Sequence, residues 1–95
     1  MEELKVIYRN EKSFYKKAMV KSVKNSHELV KNLYSYNTLV ASYILNFETM
    51  QENFIYKGQY SQTTSRHQQE FFLQCGLNLE DIKELKKKGK LVKNI

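Results

Sequence analysis

The stretch Tyr60–His67, which reads Tyr-Ser-Gln-Thr-Thr-Ser-Arg-His, decides the fold because it divides a strand-like half of the chain from a helical half. Ser61, Thr63 and Thr64 are competent helix caps, since their side-chain oxygens can accept from N–H groups that a first helical turn leaves unpaired. Apolar residues then recur at helical spacing as far as Gly76, which stands where a glycine commonly ends a helix. The stretch is therefore predicted to be the capped entrance of an amphipathic helix that follows a small β-sheet.

A second helix is predicted directly after the first. Asn78 suits the N-cap, and Asp81 stands in the N3 place, where an acidic side chain can complete the cap. Gly89 ends this helix, and residues 90–95 follow as a short strand or a frayed tail. The apolar stripe that we expect to face the sheet is Leu79, Ile82 and Leu85.

The residues before Tyr60 alternate between apolar and polar, which is the period-2 pattern of strands. The predicted strands are Leu4–Arg9, a segment through Phe14, Ala18 and Val20, then Leu29–Tyr36, Leu39–Phe47 and Phe54–Tyr56. Connections are predicted at Asn10–Ser13, Lys24–His27 and Asn46–Asn53. The second segment also suits helical spacing, but its valines favour a strand. Leu39–Phe47 is apolar on both parities, which is typical of a central strand.

The order of strands first and helices afterwards predicts an α+β domain. We expect an antiparallel sheet of four or five strands, followed by two C-terminal helices packed on one face. The 95 residues make a single domain, 1–95, in which 1–57 are mostly β, 61–89 are helical and 90–95 form the tail.

Composition restricts the classes of protein and site. The one cysteine cannot form an internal disulfide, and no cysteine–histidine set has zinc spacing, so we expect a cytoplasmic protein without metal or cofactor. The chain begins Met-Glu-Glu, and no stretch approaches the roughly 18 apolar residues that span a bilayer, so neither a signal peptide nor a membrane partner is expected. No phosphate-loop, Gly-x-Ser-x-Gly or zinc motif occurs, and no catalytic residue is assigned.

Positive charge is concentrated toward the C-terminal end of a chain whose net charge is +6. From Asp81 onward, six lysines stand against two acidic residues, Asp81 and Glu84. A cationic tail of this kind can attract nucleic acid or an acidic protein surface. It is also the composition of a solvated helix end whose lysines favour the negative end of the helix dipole.

Arg66 and His67 carry the chemistry of the predicted helix entrance. Because the positive end of a helix disfavours nearby cations, Arg66 needs a counterpart there. The counterpart is either a bound anion such as phosphate or a structural tie to a carbonyl or to Glu70 at i+4. His67 can serve as an acid or base, or can be packed and hydrogen-bonded. The candidate anion- or nucleic-acid-binding residues are Ser61, Thr63, Thr64, Arg66, His67, Lys83, Lys86, Lys87, Lys88 and Lys90.

A five-residue motif at the predicted helix entrance also occurs at the end of an earlier predicted strand. Tyr34–Thr38 and Tyr60–Thr64 both read Tyr-Ser-x-x-Thr, although the residues around them do not match. Tyrosines on strands can stack unpaired bases, but the basic–aromatic motifs of single-strand binders are absent. Cross-strand pairs are therefore the simpler interpretation of the strand tyrosines.

These runs resemble a family of small uncharacterised proteins that carry a domain of unknown function and are common in phages and mobile elements of Gram-positive bacteria. The resemblance rests on Tyr34–Ala41, Tyr60–His67 and the pair Glu70-Phe71, covers residues 29–76, and is most specific at Thr-Thr-x-Arg-His. The connection Asn46–Asn53 departs from the family pattern, and the lysine tail is not part of it. The resemblance implies a small phage or prophage protein that acts inside a bacterial host cell.

Three functions follow as expectations. The first is a non-enzymatic binding protein, phage- or prophage-encoded, that inhibits or redirects a host nucleic-acid-processing or defence complex, as anti-CRISPR proteins do. The alternative is direct nucleic-acid binding through the basic C-terminal helix and the Tyr60–His67 entrance. An enzyme that uses His67 with Arg66 ranks last. The expected partner is a host protein or nucleoprotein complex, with nucleic acid as the alternative, and the chain is a monomer or a homodimer.

Overall fold

The computed structural model describes residues 1–94 as an antiparallel β-sheet in which two helices connect the last two strands. The elements are β1 (Glu2–Glu3), β2 (Ala18–Lys24), β3 (Glu28–Ser35), β4 (Thr38–Asn46), β5 (Gln51–Tyr56), α1 (Gln62–Gln74), α2 (Leu79–Lys88) and β6 (Lys90–Asn94). The strands lie side by side in the order of the sequence, and every neighbouring pair is antiparallel. The predicted α+β class is therefore confirmed. Ile95, at the end of the predicted tail, lies outside the described residues.

The described residues form six strands, where four or five were expected. β6 is the segment for which the sequence left a strand and a frayed tail open. Gly89 ends α2 with φ 79, a left-handed conformation that glycine adopts without steric cost, and turns the chain back toward the sheet. β6 then pairs with β5, with Asn94 opposite Gln51. β5 begins at Gln51, earlier than the predicted Phe54.

The predicted N-terminal strand Leu4–Arg9 is wrong, because only β1 pairs with β2. The N–H groups of Ile7 and Tyr8 donate instead to the carboxylate of Glu70 in α1, at 3.2 and 3.1 Å. Glu70 is completely buried, and a buried carboxylate needs such donors. The alternation of apolar residues reflects burial without strand pairing, since Leu4 is buried in the core.

The second predicted strand begins at Ala18 rather than at Phe14. Tyr15 and Lys16 have φ values of 52 and 63, and two left-handed residues in succession cannot continue a strand. Phe14 is nevertheless buried in the core. The apolar periodicity in this segment therefore arises from burial before the strand starts as well as within it.

The hairpin of β3 and β4 confirms two predicted strands, Leu29–Tyr36 and Leu39–Phe47, to within a residue or two. Its two-residue turn consists of Tyr36 and Asn37, with φ values of 51 and 68. Positive φ at both central residues is the type I′ geometry, whose twist matches that of the flanking strands. β4 lies inside the sheet between β3 and β5, as its apolar sequence predicted.

The core lies between the sheet and the two helices. α1 packs on β3 and β4, and α2 packs on β5 and β6. Leu33 and Ala41 oppose each other across β3 and β4, and both belong to one buried cluster with Phe71 and Leu85. Of the stripe predicted for α2, Ile82 and Leu85 are buried and Leu79 is exposed. On the other face of the sheet, a row of β-branched side chains in register is partly exposed: Val23, Val30, Ile44 and Val92.

Candidate functional site

The entrance of α1 is built as the sequence predicted. Ser61 is the N-cap, and its Oγ accepts from the N–H of Thr64 at 3.1 Å. The next turn carries no acidic side chain. The positive end of the helix dipole is therefore not offset by a carboxylate within α1 itself.

The two Tyr-Ser-x-x-Thr runs meet in space at Thr64. Ser61 Oγ donates to Thr64 Oγ1 at 3.2 Å, and Ser35 Oγ lies 2.9 Å from the same oxygen. Ser35 Oγ also lies 2.8 Å from Nδ1 of His67. These bonds tie the end of β3 to the first turns of α1. Ser35 was missing from the candidate residues, and the repeated motif was the signal that could have identified it.

A serine bonded to a histidine is also the geometry of a nucleophile with its base. Ser35 is only 2% exposed and His67 only 1%, so the bonded atoms Ser35 Oγ and His67 Nδ1 are buried, although His67 is among the residues that line the cavity described below. The ring of His67 packs edge-on against Phe14, with centroids 4.5 Å apart, and lies 5.9 Å from the ring of Tyr36. Burial lowers the pKa of His67, and the negative charge of Glu11 opposes this only in part. The histidine is therefore a packed, neutral member of the junction between sheet and helix.

Arg66 is exposed and makes no hydrogen bond or ion pair with any residue in the range 1–94. The suggested tie to Glu70 is not formed. Glu70 accepts from the backbone of the N-terminal segment and from Nε2 of Gln74, at 2.6 Å, and is inaccessible to a guanidinium on the surface. The carboxylate of Glu11 does lie near Arg66, whose positive charge helps to lower the pKa of Glu11. An anion bound at Arg66 stays a prediction.

A cavity of about 310 Å³ opens beside Arg66 at the start of α1. We call it the aromatic cavity, because its lining includes four rings: Phe14, Tyr15, Tyr36 and His67. The other lining residues are Glu11, Ser13, Lys17, Thr63 and Arg66. Sequence reasoning placed only Thr63, Arg66 and His67 at this site. The rest come from the segment before β2 and from the β3–β4 turn, which only the fold brings together.

Strained backbone is concentrated around the aromatic cavity. Among residues 1–94, five residues other than glycine have positive φ, and four of them are Tyr15, Lys16, Tyr36 and Asn37. The left-handed conformation costs such a residue about 1–2 kcal/mol, and less for Asn. Strain of this kind is often found at functional sites, where the surrounding structure maintains it. Here it holds two tyrosines at the mouth of the cavity, 73% and 52% exposed.

The lysines of α2 lie outside its buried stripe of Ile82 and Leu85. Lys83, Lys86 and Lys87 are exposed and form what we call the lysine face. Lys88, by contrast, donates to Glu84 at 2.7 Å. Lys90 belongs to β6, where its neighbour in the strand packs against the core, so Lys90 lies on the sheet face away from α2. The predicted cationic set therefore splits, and three of its five lysines share one free face.

The start of α1 and the end of α2 lie at the same end of the sheet. The carbonyl of Gly89, just after α2, accepts from the N–H of Tyr56 at 2.9 Å. Two residues along the chain, the carbonyl of Gly58 accepts from Nε2 of Gln68 in α1 at 3.1 Å. One end of the molecule therefore combines a positive helix start, the exposed Arg66 and the lysine-rich last turn of α2.

The cysteine and the metal-binding residue types are further candidates for sites of chemistry. Cys75 is half-buried, and burial raises the pKa of its thiol to about 12, so the nucleophilic thiolate is scarce at neutral pH. Residues 1–94 contain no group of three His, Cys, Asp or Glu side chains placed to hold a metal ion.

Neither described helix is long and apolar enough to cross a membrane.

Comparison with known proteins places the chain in a family. No curated protein and no solved structure matches it. The sequence does match a family of unknown function, DUF8033, over residues 2–88, which includes every element described above except β6. The expected domain of unknown function is thus confirmed, and the chain belongs to the DUF8033 family.

Proposed function

We propose that this protein is a phage- or prophage-encoded binding protein of the bacterial cytoplasm, without catalytic activity. In this proposal it inhibits or redirects a host complex that processes nucleic acid or defends the cell, as anti-CRISPR proteins do. The observation that carries the proposal is a separation of roles at one end of the molecule. The groups suited to proton transfer are buried and bonded to one another, whereas the cations at the same end are exposed.

The buried groups argue against an enzyme. An acid or base must reach the proton that it transfers, within about 3 Å. His67 uses Nδ1 for Ser35 and is enclosed by rings, and Ser35 and Thr64 are buried with it. Cys75 is protonated at neutral pH because of its raised pKa. Binding therefore fits the exposed chemistry better than catalysis does.

The exposed cations favour a partner that presents negative charge. Arg66 and the lysine face provide four exposed cations, none of which forms a salt bridge with another residue in the range 1–94. In a nucleoprotein complex, such cations would contact phosphates or an acidic protein groove, and would displace or block the nucleic acid that normally lies there. Charge complementarity of this kind mainly accelerates association and selects the partner.

Affinity capture from bacterial lysate tests the proposal with matched variants. The test variant replaces Lys83, Lys86 and Lys87 with Gln, which removes three charges and keeps good helix formers. The control variant makes the same change at exposed lysines outside α2: Lys5, Lys21 and Lys24. We expect wild type and control to retain one defined nucleoprotein complex and the test variant to lose it. Equal retention by all three proteins, or no specific complex at micromolar bait, would contradict the proposal.

Direct nucleic-acid binding is the second candidate, and the exposed Arg66 at a helix start whose first turn carries no acidic residue favours it. Nuclease treatment of the lysate separates it from the first. Under direct binding, capture of host proteins disappears after nuclease treatment, and purified oligonucleotide binds with an affinity that falls steeply as salt rises. Capture that survives nuclease indicates a protein surface as the partner. Affinity for oligonucleotide that is absent at low salt rules the second candidate out.

A further inference from the structure

The aromatic cavity combines exposed rings, cations and a concave shape in one place. We propose that it binds a nucleotide, with the base against Tyr15 and Tyr36 and the phosphate against Arg66 and Lys17. The proposal concerns a ligand site of this chain alone and needs no host partner. Its failure can therefore be distinguished from failure of the proposed function.

The exposed aromatic rings of the cavity would stack on the base of the nucleotide. Tyr15 and Tyr36 are large aromatic side chains that remain mostly exposed, although they belong to turns in which bulky residues are unfavourable. The floor of the cavity is already formed by Phe14 and His67 in edge-to-face contact. Among residues 1–94, the ring of Tyr15 packs against no other ring. The ring of Tyr36 lies 5.9 Å from that of His67 and carries the Lys17 ammonium over it, so a base stacks on the part of Tyr36 that these groups leave exposed. A nucleobase can stack on such faces whatever its identity.

The cations of the cavity would bind the phosphate of the nucleotide. Arg66 is exposed and forms no salt bridge with another residue in the range 1–94, and the Lys17 ammonium lies over the Tyr36 ring, 5.9 Å from its centroid. The one carboxylate in the lining, Glu11, accepts from Nε of Arg9 at 2.8 Å, and that hydrogen bond lowers its pKa. Glu11 also attracts Arg66. The lining nevertheless holds two cations, Lys17 and Arg66, against this one carboxylate, so the cavity has an excess of positive charge. A guanidinium beside an aromatic ring suits a phosphate attached to a planar base.

The size of the cavity limits the ligand. A volume of about 310 Å³ is at the lower end of the range of about 300–1,000 Å³ that holds small ligands. A concave site of this kind suits a single nucleotide better than the phosphate backbone of a duplex. Its two exposed tyrosines can stack on one or two unpaired bases. The ligand class is therefore a nucleotide, either free or as one unit of a single strand.

Backbone amide NMR titration tests the proposal. The probes are adenosine monophosphate, adenosine, inorganic phosphate and a short single-stranded oligonucleotide. We expect adenosine monophosphate to shift the amide signals around Tyr15, Tyr36 and Thr63 in a saturable way. Its affinity, taken from the saturation curve, should be higher than that of adenosine or of phosphate alone. Tighter binding of the oligonucleotide at the same amides identifies a single strand as the source, and equal binding identifies a free nucleotide.

Variants at the left-handed positions give a sharp control, because asparagine tolerates positive φ better than tyrosine does. Tyr15→Asn and Tyr36→Asn remove the rings without imposing new strain on the turns. Each should weaken binding of the monophosphate at least about fivefold, the lower limit for loss of one base–aromatic stack. Tyr8→Ala removes an exposed ring outside the cavity and should leave binding unchanged.

Three results would overturn the proposal. Inorganic phosphate that binds as tightly as the monophosphate would reduce the cavity to an anion site. Unchanged binding in both asparagine variants would place the base elsewhere. Tighter binding of a phosphotyrosine peptide than of any nucleotide would assign the same ring and charge to a protein ligand instead.

Discussion

Lowering the pH should destabilise this protein through His67, and the direction follows from its burial. The ordinary pKa of histidine is about 6.5, and burial lowers the pKa of His67 in the folded chain, with Glu11 opposing in part. As the pH falls through about 6.5, the unfolded chain therefore binds a proton that the folded chain refuses. Stability is fully present above that pH and is lost toward the lowered pKa, with a slope of at most about 1.4 kcal/mol per pH unit.

Urea denaturation from about pH 7.5 to about pH 5.5 measures this slope, with His67→Asn as the test variant. At about pH 7.5 the variant should be less stable than the wild type by about 1–3 kcal/mol, because it disturbs the bond to Ser35 and the contact with Phe14, and this deficit should shrink as the pH falls. It should also lose the pH-dependent part of the wild-type curve. His27→Asn, at an exposed histidine, is the matched control and should keep that part. If His67→Asn keeps the wild-type slope, His67 is not the buried neutral group described here.

Three further predictions concern other parts of the structure. Glu70→Gln should lower the free energy of unfolding by about 1.5–3 kcal/mol and speed amide hydrogen exchange at Tyr8, because the amide offers one acceptor oxygen in place of two; unchanged exchange would contradict the role of this carboxylate. Asn78→Ala should cost about 1 kcal/mol in thermal or urea unfolding, since it removes the cap of α2 that accepts from Asp81 at 2.8 Å, and unchanged stability would mean that the cap does not matter. Cys75 should resist alkylation at about pH 8 in the folded protein and react readily in denaturant, because burial raises its pKa to about 12; equal labelling rates would refute this.

The helical half of the fold could be predicted from local chemistry. Ser61, Asn78 and Gly89 act within a turn of their own position, so a cap or a C-terminal glycine is visible in the sequence alone. The β3–β4 hairpin was predictable for a similar reason, since its strands are long and separated by two residues.

The N-terminal strand was mispredicted because alternation reports burial and not the hydrogen-bond partner. The N–H groups of Ile7 and Tyr8 bond to Glu70, more than 60 positions along the chain, and no local pattern could reveal that. β6 was left open because a five-residue strand needs an edge to pair with. That edge is supplied by β5, which is separated from β6 along the sequence by both helices.

The candidate site was predicted in part. Residues of α1 were found because they belong to one capped run, but Tyr15, Lys17 and Tyr36 enter the aromatic cavity from separate segments. The lysines were judged as a sequence cluster. In the structure, the helical period and the strand period send Lys87 and Lys90 to different surfaces, and Lys88 to a salt bridge.

The salt dependence of binding tests most directly the claim that the lysine face binds nucleic acid or a nucleoprotein. The affinity for a single-stranded oligonucleotide, or for the captured complex, is measured between about 50 and 200 mM salt in wild type and in both triple lysine variants. Removal of one lysine that binds a phosphate should reduce the slope of log affinity against log salt by about 0.7. Replacing Lys83, Lys86 and Lys87 together should therefore reduce the slope by about 2 for a single strand. The control triple variant should keep the wild-type slope. Equal slopes in all three proteins, or the same reduction in the control, would contradict the assignment of the binding surface to this face.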